Sequence, residues 1–521
     1  MGKIQSQIII ITAALLAVSC SRQTMSVEEL RVEHMENPSV VDATHPRLSW
    51  INIPKSQKAR GIKQTAYRIV VASSMGNLKQ GIYDLWDSGK QLSEESDLIP
   101  YQGKTLPSAQ DCYWKVQTWD QDGKPTAWSK PSYWGMGLMN EDEWQAQWIA
   151  PLLGGPGAPL LRKHFDSEGQ IKQAKVFVCG LGYFELYVNG ERIGDDYLVP
   201  NMTDYTKRFD LEKGPIAISG NMSRHRVMYL AYDITKQIQE GRNALGVILG
   251  NGFYDAVNLN IPCSKFGDEC LRLQLQLTYA DGTTQTVISD NTWETKPSAI
   301  TLNGVHAGEI YNANLETPLW ATTEDNSQGW QRVKCIEGPT GMMTAHTAPT
   351  DKIVETLKPI SLHQREDGAW VVDFGKEISG WLHLHDLKGE KGDTVKVDYI
   401  SESVQGNMRY VMNGSGSEEY APRFTWFAFS KAVISGVKEL SMRNLTADVV
   451  NTHVEKTADF HTTDTLFNRI NEIWQRSQLD NMHGGIASDC PHRERLPYTG
   501  DGEAACATVM HNFDADRKSV V

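Results

Sequence analysis

Gly180-Leu181-Gly182-Tyr183-Phe184-Glu185-Leu186-Tyr187-Val188-Asn189-Gly190 reads as a strand running into an Asn-Gly turn. Asn and Gly tolerate the positive φ values of a type I′ turn, whose twist matches that of paired strands, so the dipeptide is a strong hairpin signal. Asn243-Ala244-Leu245-Gly246-Val247-Ile248-Leu249-Gly250-Asn251-Gly252 ends in the same way. Many strands with glycine turns over residues 151–345 predict a jelly roll. Toward the N-terminus, Ala66-Tyr67-Arg68-Ile69-Val70-Val71-Ala72 and Tyr113-Trp114-Lys115-Val116-Gln117-Thr118-Trp119-Asp120 alternate at period two. With an Asp122-Gly123 turn and tryptophans at 50, 86, 114, 119 and 128, this predicts an antiparallel β-sandwich over residues 26–139. A third β region is predicted over 346–455 from Val371-Val372-Asp373-Phe374-Gly375-Lys376-Glu377-Ile378-Ser379-Gly380-Trp381-Leu382 and the strand that begins at Thr394. From Thr463 the period turns helical. Leu466, Ile470, Ile473, Trp474 and Ser477 lie on one stripe, with Thr463 and Asp464 as N-cap candidates.

A chain of 521 residues divides into several domains, and 40% hydrophobic content is enough for large cores. The formal charge of −13, with no basic run, argues against a nucleic-acid surface. Fifteen tryptophans suit sandwich cores and also the stacking of indole on sugar C–H faces. Lys3 followed by the apolar stretch Ile8 to Leu16, too short to span a bilayer, reads as a targeting segment. It ends at Ala17-Val18-Ser19-Cys20, which resembles a bacterial lipobox. Residues 1–20 are therefore expected to be a lipoprotein signal peptide. Lipidation of Cys20 would tether the exported protein to a membrane, in the periplasm or at the outer membrane and cell surface. Seven other cysteines remain, an odd number that cannot all pair within the chain; Cys263 and Cys270 could close a small loop. No Cys/His spacing resembles a zinc site, and neither a Gly-x-Ser-x-Gly elbow nor a phosphate loop is present.

The chemistry concentrates in Ser488-Asp489-Cys490-Pro491-His492-Arg493-Glu494-Arg495-Leu496-Pro497-Tyr498-Thr499-Gly500-Asp501. Two prolines keep this segment from being one continuous helix, so its charges crowd a loop. Carboxylates and arginines suit sugar hydroxyls through charge-assisted hydrogen bonds. Inverting glycoside hydrolysis needs one carboxylic acid to protonate the leaving oxygen and a second carboxylate to activate water across the ring. The alternative is an acidic structural loop neutralised by Arg493 and Arg495.

The segment resembles the signature of the α-L-rhamnosidases of glycoside hydrolase family 78. Arg31-Val32-Glu33-His34 to Asn37-Pro38 and Thr44-His45-Pro46-Arg47-Leu48-Ser49-Trp50 likewise resemble the first module of Bacteroidetes-type members. The resemblance implies a multidomain, mainly β architecture: a fibronectin type III-like sandwich at 26–139, a jelly-roll accessory domain at 151–345 and a second β-sandwich at 346–455. Residues 456–521 would then begin an all-α (α/α)6 catalytic barrel. It implies release of terminal α-L-rhamnose from plant polysaccharides or glycosides, with Glu494 as general acid. Asp489, Arg493 and Asp501 would hold rhamnose, and Tyr498 stands, after Pro497, where many relatives have Gly-Trp, leaving a ring to stack on the sugar. No cofactor is required by this chemistry, although some relatives bind rhamnose with calcium in the jelly roll; Asp195, Asp196, Asn251 and Asp255 are the polar candidates there, and turn positions by residue type. The family's general base is a glutamate far downstream of the signature, without a counterpart here, and Glu503 stands too near the acid to replace it. The closing Asp516-Arg517-Lys518-Ser519-Val520-Val521 reads as foreign to the family. The expectation is a fragment with little or no turnover; a non-catalytic carbohydrate-binding lipoprotein is the alternative.

Overall fold

The computed structural model describes residues 24–152, 154–203, 205, 225–255, 266–324, 328–403, 405–496 and 499–515. Contacts divide these into two compact units. One holds the described residues up to Asn37 with His45–Lys104 and Cys112–Tyr133; the other holds Pro38–Thr44, Thr105–Asp111 and the chain from Trp134.

In the first unit, strand Asp111–Trp119 buries every second residue, including Cys112, Trp114 and Val116, as its period-two sequence predicts. It pairs antiparallel with Ala66–Ala72, in register Ala66↔Trp119 to Ala72↔Tyr113. Met25–Val32, Arg47–Pro54 and Ile99–Pro100 form a second sheet. The buried Trp50 donates its indole N–H to Gln64 at 3.0 Å, which satisfies the polar atom that burial of an aromatic brings inside. Helix α1 (Met75–Gln80) opens on Ser74, whose hydroxyl accepts the Asn77 N–H at 3.1 Å.

The second unit begins with two sheets. One is built around Ile171–Leu181, flanked by Cys270–Tyr279 and Arg226–Asp233; the other is built around Gly241–Gly250, flanked by Tyr183–Val188 and Pro159–Ser167. Leu161, Val247 and Leu249 from the second meet Val176, Val178, Leu273 and Leu275 from the first in one dry core. The expected hairpin is present: Val188 pairs with Glu191 across Asn189 (φ 50°) and Gly190 (φ 90°).

Next comes a ten-stranded sheet whose spine is the 18-residue strand Trp370–Leu387. Phe427–Ser435 and Leu445–Thr452 pair along it, with a register break between Asp373 and Ile378. Two strands assigned from sequence to the preceding region, Ile300–Gly304 and Gly308–Asn312, belong to this sheet by their hydrogen bonds. Gly308–Asn312 runs parallel to Asn407–Val411, and a Cβ on Gly308 (φ 86°) would lie 1.9 Å from the Asn407 carbonyl oxygen. That approach is open only to glycine.

Two further helices follow, α2 (Thr465–Asp480) and α3 (Thr499–Asn512). Asp464 caps α2 as expected, accepting the Leu466 N–H at 2.8 Å. No helix among the described residues is long and apolar enough to cross a membrane.

Candidate active-site loop and its relatives

Chain reversal after α2 is made by a small hairpin, Met482–His483 with Ile486–Ala487, turned at Gly484 and Gly485. Asp351 anchors it. Its carboxylate accepts the Gly484 N–H at 3.0 Å, the Thr452 hydroxyl at 2.8 Å and His483 Nδ1–H at 2.6 Å. The other ring nitrogen of His483 lies 2.6 Å from the Ser379 hydroxyl. This Ser-His-Asp chain has the connectivity of a hydrolase triad, but Ser379 is fully buried, so it is a structural tie and offers no accessible nucleophile. His483 also stacks on Trp426, with ring centroids 4.2 Å apart.

The loop that follows is held from behind. Arg495, buried at positive φ (57°), donates to the carbonyls of Val305 and, at 2.8 Å, Trp426, and to the Gln405 side-chain oxygen at 2.8 Å. Its guanidinium lies 5.4 Å from the Trp426 ring centroid. Desolvation pushes its pKa down to about 10, which leaves it charged at neutral pH. His306 donates to the Glu494 carbonyl at 2.9 Å, and burial pushes its pKa down to about 4, so the neutral ring persists well into acid. The Ser403 hydroxyl donates to the His492 carbonyl at 3.3 Å. His306, Gln405, Trp426 and Arg495 were not foreseen as loop supports, because their roles rest on contacts between distant segments.

On the outer side, Arg493 stands between two acids: its Nη2 is 3.4 Å from Glu494 Oε1 and 3.6 Å from Asp489 Oδ2. Arg493 is 63% exposed and Glu494 41%, whereas Asp489 is largely enclosed, and its Oδ1 is buried with no hydrogen-bond partner among the described residues. An orphaned carboxylate oxygen is costly unless a donor reaches it. The loop thus presents a part-buried acceptor, a cation and an exposed carboxyl group on one surface. Asp501 is exposed on the first turn of α3, where a carboxylate favours the helix dipole. Tyr498 and Cys20 lie outside the described residues, as do Cys263 and residues 516–521. Cys270 is a buried free thiol.

The four jelly-roll candidates are engaged with neighbours. Asp195 pairs with Lys352 at 2.7 Å, Asp196 accepts the Tyr232 hydroxyl at 3.0 Å, and the Asn251 amide reaches Asp255 at 3.5 Å. The only His, Cys, Asp and Glu cluster with converging ligand atoms among the described residues lies elsewhere, in the ten-stranded sheet, at His383, His385 and Glu419.

Residues 27–140 match the N-terminal immunoglobulin domain of Rha78A-like proteins, and residues 169–216 and 221–355 match the α-L-rhamnosidase N-terminal domain. Residues 363–451 match the bacterial α-L-rhamnosidase concanavalin-like domain, and 455–518 the bacterial α-L-rhamnosidase 6 hairpin glycosidase domain. An α-L-rhamnosidase of Formosa agariphila is 31% identical over 96% of this chain and 56% of its own length. The chain belongs to the α-L-rhamnosidases of glycoside hydrolase family 78. The solved α-L-rhamnosidase of Dictyoglumus thermophilum superposes with a TM-score of 0.84 at 32% identity, over 94% of this chain and 56% of that one. The Streptomyces avermitilis α-L-rhamnosidase, solved in complex with L-rhamnose, shares the fold with a TM-score of 0.85 at 23% identity, over 95% of this chain and 64% of that one. The chain spans 55–63% of the length of the curated relatives it matches. Within this family-78 chain, Asp489 and Glu494 converge on the exposed Arg493 at the outer surface of the 489–494 loop.

Proposed function

We propose that this protein serves the hydrolysis of terminal non-reducing α-L-rhamnose from plant polysaccharides or glycosides, by inversion, with Glu494 as general acid. Asp489, Arg493, Tyr498 and Asp501 bind the sugar in this reading. The observation that carries it is the buried, unpartnered Oδ1 of Asp489 beside the Arg493–Glu494 pair. A sugar hydroxyl supplies the donor that this oxygen lacks, and the guanidinium supplies a second, charged contact. Glu494, the more exposed carboxyl, is then left to face the glycosidic oxygen. No carboxylate of this chain is assigned to the base, and the chemistry draws on carboxylates without a required cofactor. The four regions at 26–139, 151–345, 346–455 and 456–521 are read as fibronectin-like, jelly-roll, second sandwich and the start of an (α/α)6 barrel. Export and lipid anchoring through Cys20 are part of the same proposal, as is calcium in the jelly roll, although the engaged side chains of Asp195 and Asp196 lend that last point no support.

The test is calorimetric titration of the purified chain with L-rhamnose, alongside turnover of an aryl α-L-rhamnoside. We expect saturable rhamnose binding, weakened about tenfold or more by Asp489→Asn, since loss of one charge-assisted hydrogen bond is worth about 1.5–3 kcal/mol. Any turnover that is measured should vanish in Glu494→Gln. Rhamnose binding indifferent to Asp489, or turnover that survives Glu494→Gln, would overturn the assignment.

A further inference from the structure

On the spine strand Trp370–Leu387, His383 and His385 lie two residues apart and so project from the same face. Their rings sit 4.0 Å apart, centroid to centroid. Glu419, on the short neighbouring strand Glu418–Tyr420, reaches both: its Oε1 is 2.8 Å from His383 Nε2 and 3.2 Å from His385 Nδ1. The far ring nitrogens are already occupied. His383 Nδ1 faces Asp448 Oδ2 at 3.2 Å, and His385 Nε2 faces the Thr446 hydroxyl at 2.8 Å. Asp448 is itself buried and held, accepting the Thr356 hydroxyl at 2.8 Å and the Trp381 indole N–H at 3.2 Å.

An ionised carboxylate only accepts, so the Asp448 contact places a proton on His383 Nδ1 and leaves Nε2 as a lone pair in the neutral ring. The Thr446 hydroxyl lets His385 donate from Nε2 and turn its own lone pair inward. In that tautomeric state two nitrogen lone pairs and a carboxylate oxygen converge, with ligand atoms within 4.8 Å of one another. A proton held between a ring and Glu419 or a divalent cation fills such a set, and the two compete, so the cation enters with the rings neutral. Histidine ligands whose second nitrogen is fixed by a carboxylate or hydroxyl are the common arrangement around transition metals, and the outer partner sets the tautomer. Two imidazoles with one carboxylate suit zinc, cobalt or nickel rather than calcium or magnesium, which take oxygen ligands. Ligands on a tetrahedral centre with bonds of about 2.0 Å stand roughly 3.3 Å apart, close to the separations present here.

We propose that His383, His385 and Glu419 form a binding site for a zinc-class divalent cation, open to solvent at its fourth position, with Asp448 and Thr446 orienting the two rings. Bound there, the ion staples the three-residue strand Glu418–Tyr420 to the spine of the sheet. The proposal is independent of the rhamnosidase reading, since none of these residues belongs to the 489–501 loop.

The experiment is titration of the whole chain with Zn2+ alone, after chelator treatment, followed by calorimetry and by the visible spectrum of the Co2+ form. One saturable equivalent is expected, with tetrahedral-type cobalt bands and a zinc-dependent rise in Tm. His385→Gln and Glu419→Gln are both surface-accessible changes whose folding is checked by circular dichroism. Each should weaken binding by more than about tenfold, the effect usual for even an outer-shell change, and the double variant should lose the cobalt spectrum. Absence of a saturable equivalent, or binding and spectra unchanged in the double variant, would overturn the proposal by placing any metal on other histidines or thiols.

Discussion

Arg493 and Arg495 are two residues apart and have opposite fates. Arg493 stays exposed between Asp489 and Glu494, whereas Arg495 turns inward at positive φ and spends its charge on carbonyls of distant strands. Neutralisation of the acidic loop by both arginines, the structural alternative, therefore describes only one of them. A lysine at 495 keeps the charge but not the planar fork that serves three acceptors. Arg495→Lys is expected to lower stability by about 1–3 kcal/mol, the cost of leaving buried acceptors unpaired, read as a loss of denaturant midpoint. An unchanged midpoint would mean the fork is dispensable. Asp480 offers a second prediction. Burial pushes its carboxyl up to about 7, against an ordinary value of 3.8, although it accepts the Ser379 N–H at 3.0 Å. Because the folded state holds this proton more tightly than the unfolded chain, the contribution is complete below about pH 4 and is lost as pH rises through about 7. Asp480→Asn keeps the acceptor and removes the titration. Its Tm should fall less steeply than that of the unsubstituted protein between about pH 5 and pH 8; parallel curves would refute the assignment. Some slope remains in the variant, since burial also pushes the Glu309 carboxyl up to about 7.

At the scale of elements, α2 carries the apolar stripe read from its sequence, yet that stripe is not covered. Leu466 is 63% exposed, Ile470 52% and Ile473 42%, while Trp474 packs toward Phe513. An isolated helix of this length owes its stability to burying such a face, and an exposed row of large apolar side chains marks a contact surface. In the proposed barrel this face would meet further helices. The chain as it stands should bind the dye ANS through α2, and Leu466→Lys with Ile470→Lys should remove most of that signal without altering the β-sheet circular dichroism. Dye binding unchanged by the pair would assign the exposed surface elsewhere. The hairpin after α2 works differently: it is fixed by the Asp351 and Ser379 bonds to His483, so the signature loop starts from a rigid base although it is itself irregular.

Over the whole molecule, local rules were legible where the physics is local. Period-two burial in Asp111–Trp119, the Asn189-Gly190 turn and the Asp464 cap all depend on neighbours within a few positions, and each appears where the sequence places it. The loop that carries the acids was legible as well, because two prolines and a dense set of charges leave few other conformations. What tertiary structure alone decided is pairing over long separations. Arg495 meets Val305 across 190 positions, His483 meets Asp351 across 132, and Gly308–Asn312 pairs with the distant strand Asn407–Val411. Neither residue type nor spacing encodes such partners. The His383, His385 and Glu419 cluster is of the same kind: no sequence spacing marks it as a metal site, since it exists only once two strands and their outer hydrogen bonds are folded into one sheet.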